Sequence, residues 1–134
     1  MTGAAARQQD AADGAALRTL LKRGEYLAAA RARRQAVTGM VVQARDRRDG
    51  TGHVGVGITC SRKLGNAVTR NRAKRRLRAL AREILPAAGR PGWDYVLVGR
   101  PGVTVARPFD ALRDDLREAL RRLHAPPRPK EPAG

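Results

Sequence analysis

The chain has 134 residues, with 28 Lys and Arg against 12 Asp and Glu, a formal net charge of +16 and a single cysteine. That length holds one domain of roughly 100 residues around one modest core. A charge of this size repels itself in a compact body unless an anionic partner takes it up, and nucleic acid is the partner expected. An anionic membrane surface fits less well, because an interfacial helix wants Trp or Phe on its apolar face and the chain has one of each. No apolar run approaches the ~18 residues of a bilayer span, and the N-terminal segment lacks the apolar stretch of a signal peptide, so a soluble, cytoplasmic protein is expected. Cys60 alone cannot close an internal disulfide or, with only His53 and His124, a zinc site, which agrees with a reducing compartment.

In chain order, residues 1–15 are rich in Ala, Gly and Gln without apolar periodicity, and residues 125–134 read APPRPKEPAG; both are expected to be disordered tails around a domain spanning 16–124. Leu17, Leu20, Leu21, Tyr26, Leu27 and Ala30 recur at roughly helical spacing and predict a short helix ending near Arg34, with Gly24 as a possible true start. Residues 37–46 and 53–61 predict strands, the second alternating through Val54, Val56, Ile58 and Cys60, and Asp49-Gly50 between them suits a hairpin turn. A long helix is predicted from Ala67 to Leu85 because Ala73, Leu77, Leu80, Ala81 and Ile84 share one side, with Pro86 and Gly89 ending it. Residues 94–99 read as a strand covered on both faces. Phe109, Leu112, Leu116, Leu120 and Leu123 make a last amphipathic helix, with Pro108 at its first turn. The order α-β-β-α-β-α predicts an α+β fold, a small sheet with helices packed on it as a two-layer sandwich.

The chemistry concentrates between Arg62 and Arg82. Arg62, Lys63, Arg70, Arg72, Lys74, Arg75, Arg76, Arg78 and Arg82 stand there without one acidic residue. A solvated helix face normally sets Glu four residues from Arg, whereas here like charges stand at i and i+4 in Arg70, Lys74 and Arg78, so the counter-charge must come from outside. Asn71, Arg75, Arg78 and Arg82 lie opposite the apolar stripe, giving the helix a core face and a phosphate face. Arg predominates, and its planar guanidinium bonds two phosphate oxygens at once. The preceding loop offers Gly65 for close backbone approach and Asn66 or Thr69 as a helix cap, where an anion could also bind.

The stretch from Ser61 to Arg78, SRKLGNAVTRNRAKRRLR, closely resembles the signature of the bacterial ribonuclease P protein subunit, whose hallmark Arg-Asn-Arg is matched by Arg70, Asn71 and Arg72. The resemblance runs from about Leu17 to Leu123. It implies an α+β sandwich with a left-handed βαβ crossover, and a protein that assists a catalytic RNA in removing the 5′ leader of precursor tRNA. Its implied partners are the ribonuclease P RNA and the leadered precursor, with no obligate protein partner. Magnesium is expected with the RNA and substrate, and no protein-only metal site is expected. Ser61, Arg62, Lys63, Asn66, Arg70, Asn71, Arg72, Lys74, Arg75, Arg78 and Arg82 are the candidate RNA-binding residues. The family also holds the leader in a cleft between its first helix and the sheet. Tyr26 matches the first aromatic position there, Ala30 stands where many members have a second aromatic, and Lys22, Arg23, Arg31, Arg33 and Arg34 are candidate phosphate contacts.

No side chain is assigned to catalysis. Asp110, Asp114, Asp115 and Glu118 alternate with Arg113, Arg117, Arg121 and Arg122 as surface ion pairs do, rather than as metal ligands. His53 and His124 lack the neighbours of a catalytic base and are read as surface or cap residues, while Cys60, Trp93, Tyr95 and Phe109 are assigned to packing. Three competing functions are a structural RNA-binding protein such as a ribosomal protein, an autonomous nuclease, and a DNA-binding regulator. The first would not require the signature, the second would need clustered carboxylates, and the third would need base-reading polar residues beyond Asn71.

Overall fold

The computed structural model describes residues 16–125, so both expected tails, Ala125 apart, lie outside the described residues. The elements are β1 (Leu17–Thr19), α1 (Arg23–Arg31), β2 (Arg33–Ala36), β3 (Met40–Asp46), β4 (Val54–Thr59), a 3-10 turn (Arg62–Leu64), α2 (Ala67–Ala88), β5 (Trp93–Gly99) and α3 (Phe109–Leu123). They build the expected α+β fold around one five-stranded sheet of order β1-β4-β5-β3-β2. β4 and β5 are parallel neighbours joined through α2, and β5 is antiparallel to β3.

Burial on both faces explains why β5 is apolar almost throughout. On one face Tyr95 and Leu97 join Met40, Val42, Ala44 and Val54 in the main core, closed by Leu77, Leu80 and Leu85 of α2 and Leu112, Leu116 and Ala119 of α3. On the other face Val96 packs with Leu20 and Ala29 beneath α1 in a smaller cluster. Helices therefore lie on both sides, α2 and α3 covering one face and α1 covering part of the other.

Three local expectations change. Leu17–Thr19 is a strand rather than the start of a helix: it runs parallel to β4, Leu20 turns inward, and Leu21 is left 85% exposed. The apparent leucine period thus combined a strand with a turn, and the helix begins only at Arg23, where Glu25 Oε1 accepts the N–H groups of Leu21 and Lys22 at 3.0 and 2.9 Å. Arg33 and Arg34, expected at the helix end, form with Gln35 and Ala36 the edge strand β2 antiparallel to β3. Asp49-Gly50 turns the chain but closes no hairpin, because β5 inserts between β3 and β4. Arg47 holds that connection, donating to Asp49, Thr51, the Trp93 and His53 carbonyls and the buried Asp94 at 2.7–3.1 Å. The ends of α2 and α3 differ slightly: α2 runs to Ala88 with Pro86 in its last turn, and Pro108 is the N-cap of α3.

His124 is the C-cap of α3, one of the two roles expected for it, and sits in a ring cluster, edge-on to Trp93 with centroids 4.6 Å apart. The Tyr95 hydroxyl accepts the Arg90 N–H at 2.8 Å and shares a hydrogen bond with His124 Nε2 at 2.6 Å. Burial, with Arg90 and Arg33 nearby, pushes the His124 pKa down to about 4. The unfolded chain therefore takes up a proton between roughly pH 6.5 and 4 that the folded chain refuses, so this contribution to stability is full above pH 6.5 and lost as pH falls. Thermal melts across that window should show a falling midpoint, with a shallower fall in His124→Gln.

Gly55 and Gly57 make the α1 side of β4 flat. A Cβ at Gly55 would stand 2.1 Å from Asp94 Oδ1 and 2.8 Å from Leu20, whereas one at Gly52 would meet nothing within 4 Å. Gly55→Ala should cost about 1–3 kcal/mol by overpacking in urea titrations. Gly52→Ala should stay within about 0.5 kcal/mol.

Candidate RNA interface

The signature segment leaves the sheet at the end of β4. Cys60 is buried, and burial pushes its thiol pKa up, so the packing role expected for it holds. Ser61 Oγ accepts the Lys63 N–H at 3.3 Å across the 3-10 turn, and Leu64 plugs into the core where Gly99 leaves room: a Cβ there would stand 2.7 Å from the leucine. Gly65, at φ +133, brings the chain back over Thr69 in a conformation that suits glycine. Asn66 Oδ1 then accepts the Thr69 N–H at 2.9 Å, so Asn66 is the cap. Buried Leu64 thus fixes a loop that leaves Ser61, Arg62, Lys63 and Asn66 exposed.

Along α2 the buried stripe is Ala73, Leu77, Leu80, Ala81, Ile84 and Leu85. Asn71, Arg72, Arg75, Arg78 and Arg82 are exposed, while Arg70 and Lys74 are half-buried at the flanks. Among the described residues none of these cations has a carboxylate within ion-pair distance. Arg76 differs: it donates to the carbonyls of Val105, at 3.0 Å, and Arg107, and lies over the Phe109 ring. It ties α2 to the 100–107 loop and is not part of the open face.

On the other side of the sheet the Tyr26 ring lies over Gly57, where a Cβ would meet it at 2.6 Å, and its hydroxyl donates to the Leu20 carbonyl at 3.3 Å. Ala30 is exposed. Lys22, Arg23, Arg31 and Arg34 are exposed around α1, and Arg34 shares the α1 face with its register partner Gln43. Arg33 does not belong with them. Strand alternation turns it to the opposite face, where it donates to the Leu123 carbonyl at 2.8 Å and lies 5.5 Å from the centroid of Trp93.

A family model described as Ribonuclease P matches residues 15–124. The ribonuclease P protein component of Ruegeria pomeroyi is 65% identical over 108 residues, covering 80% of this chain and 86% of that protein. The component from Caulobacter vibrioides is 45% identical over 106 residues, covering 79% and 70%. Among solved structures, the RNase P protein of Thermotoga maritima superposes with a TM-score of 0.65 at 26% identity, covering 78% of this chain and 97% of that one. The Staphylococcus aureus protein gives 0.64 at 22%, covering 78% and 93%. The chain belongs to the ribonuclease P protein family.

Members of this family are the protein subunit of ribonuclease P, the ribonucleoprotein endoribonuclease of tRNA 5′ processing, and this chain has that role. Two carboxylates of α3 pair with arginines on the surface as expected, Asp110 with Arg113 and Glu118 with Arg121 and Arg122, whereas Asp114 has no arginine within ion-pair distance among the described residues. Asp115 is not a surface pair as expected; it is buried and receives Arg107 from the loop before α3 at 2.6 Å. Among the described residues no three His, Cys, Asp or Glu side chains come together as a metal-holding group. None of the helices there is long and apolar enough to cross a membrane.

Two features escaped the reading of the sequence. Arg18 of β1 joins Arg78 and Arg82 around a groove of about 190 Å³, which extends the basic face of α2 onto the sheet edge. Val41, Gln43 and Val98, half-buried, floor the open sheet beside α1, and the alternation of 40–46 could have placed the first two opposite Met40 and Val42. The division of the arginines is testable by denaturation. Arg76→Ala should destabilise the fold by about 1–3 kcal/mol because it leaves two half-buried carbonyls unpaired and removes the tie between α2 and the loop. Arg75→Ala, an exposed change, should stay within about 0.5 kcal/mol.

Proposed function

We propose that this subunit works by holding two RNA elements on opposite faces, leaving bond cleavage to the RNA. The exposed side of α2, with Ser61, Arg62, Lys63, Asn66, Arg70, Asn71, Arg72, Lys74, Arg75, Arg78 and Arg82, binds the ribonuclease P RNA. The open sheet beside α1, with Tyr26, Lys22, Arg23, Arg31 and Arg34, receives the 5′ leader of precursor tRNA; Arg33, turned away, is left out. The observation that carries this reading is the row of α2 cations with no counter-charge among the described residues, held solvent-facing by a buried stripe. Phosphates are the natural complement, because each one neutralised releases condensed counterions. Tyr26 offers one ring for stacking while Ala30 offers none, so leader binding rests more on charge and on the flat floor of Val41, Gln43 and Val98.

Magnesium belongs with the RNA and the substrate in this reading, since the described side chains form no cluster to hold it. The cytoplasm is the proposed location, in keeping with a lone buried thiol. A structural RNA-binding role without substrate would leave the open face beside α1 unused.

The test is single-turnover cleavage of a leadered precursor tRNA by a bacterial ribonuclease P RNA at low magnesium, with and without the protein. Acceleration only when both are present supports the reading; cleavage by the protein alone, or no effect on a competent RNA, overturns it. Arg72→Ala and Arg75→Ala should weaken RNA binding without unfolding the chain. Each should also reduce the slope of log affinity against log salt by roughly 0.7–0.9 for a lost phosphate contact.

A further inference from the structure

At the far edge of the sheet β3 outruns its neighbour. β2 begins at Arg33, opposite Ala44, so Arg45 and Asp46 pass beyond its end, while β5 still accompanies them through Asp94 and Trp93. The notch left there has a volume of about 390 Å³ and is walled by Arg33, Arg45, Arg48, Asp46 and Trp93. That lies within the ~300–1,000 Å³ range of small-ligand sites. It lies at the end of the sheet away from the signature loop and straddles the sheet edge: Arg45 stands on the α1 face in line with Val41 and Gln43, while Arg33 and Trp93 stand on the other face. The signature loop covers Gly99 at the other end of β5, about 20 Å away at ~3.3 Å per residue, and α2 packs towards the β4 side.

The charges in the notch are poorly matched from within. Arg48 is 85% exposed and reaches Asp46 only at 3.8 Å. Arg45 stands 3.9 Å from Asp94, whose other oxygen is already held by Arg47 at 2.7 Å. Arg33 has no carboxylate partner among the described residues, and its guanidinium lies near the Trp93 ring, 5.5 Å from the centroid. The indole is held in place by His124 edge-on and by Tyr95 behind it. An immobilised aromatic and guanidinium beside two weakly engaged arginines form a base platform next to a phosphate seat.

We propose that this notch is a further RNA site, taking one unpaired nucleotide of a single-stranded RNA with its base against Trp93 and Arg33 and its phosphate on Arg45 and Arg48. The proposal rests on RNA being the partner of this chain, and it assigns Trp93 a contact role beside its packing role.

Trp93 is the only tryptophan in the chain, so its fluorescence reports the notch directly. The full chain is titrated at low salt with fluorescein-labelled pentaadenylate for anisotropy, and with unlabelled pentaadenylate for tryptophan emission. Saturable quenching is expected, with a midpoint raised about tenfold in the Arg45→Gln/Arg48→Gln double variant, checked as folded by circular dichroism. Arg48→Glu alone, at a fully solvated side chain, should raise it severalfold. Anisotropy that rises while Trp93 stays silent, or an unchanged midpoint in the variants, would sink the notch and leave the RNA-holding role standing. An oligonucleotide that binds nowhere on the protein would remove both.

Discussion

Burial of one apolar stripe on α2 sets the direction in which most of the charge points. Ala73, Leu77, Leu80, Ala81 and Ile84 can leave water together only if the helix lies on the sheet in one rotation, and that rotation turns Asn71, Arg75, Arg78 and Arg82 outward. The fully buried leucines among them are worth about 1.5–3 kcal/mol each, enough to hold like-charged neighbours at i and i+4 that would weaken an isolated helix by a few tenths of a kcal/mol per pair. The core therefore stabilises a surface that is electrostatically unfavourable by itself. An RNA ligand is the natural relief for that surface.

The arginines fall into two populations that composition cannot separate. Arg47, Arg76 and Arg107 are structural: they reach several backbone carbonyls, or a buried carboxylate, and stitch loops to the sheet and helices. Those of the α2 face have no such partners. For Arg47 and Arg107 the distinction follows the acids, Asp49 and Asp94 beside the first and Asp115 beside the second, whereas Arg76 stands in the stretch from Arg62 to Arg82 that has no carboxylate and is held by carbonyls. Asp94 is the most constrained of these acids, fully buried against Gly55 and held by Arg47.

What could be read in advance followed the strength of the periodic signal. α2 and α3 present long stripes and β5 an apolar run broken only by Asp94, so their positions were legible to within a few residues, as was the outward set from Asn71 to Arg82. β2 was not legible: Arg33-Arg34-Gln35-Ala36 has no apolar alternation and becomes a strand because β3 offers it an edge, a tertiary cause. The short β1 was hidden because Leu17, Leu20 and Leu21 imitate a helical period. The missing hairpin has a similar origin, since a turn signal at Asp49-Gly50 cannot reveal that a later strand will insert. Arg33 was misplaced for the same reason, because its face depends on β2 existing.

Aromatic economy bears on how such a surface can hold RNA. Of four aromatic residues, Tyr95 is fully buried and Phe109 is covered by Arg76 and Arg113, leaving Tyr26 and Trp93 as the rings near open surface. They stand on opposite faces of the sheet, each fixed by its neighbours, so neither can build the continuous stack by which many single-strand binders track bases. In the binding mode proposed above, recognition is then dominated by phosphate contacts from guanidiniums on both faces and one edge. Such a surface follows the path of an RNA backbone more than its sequence.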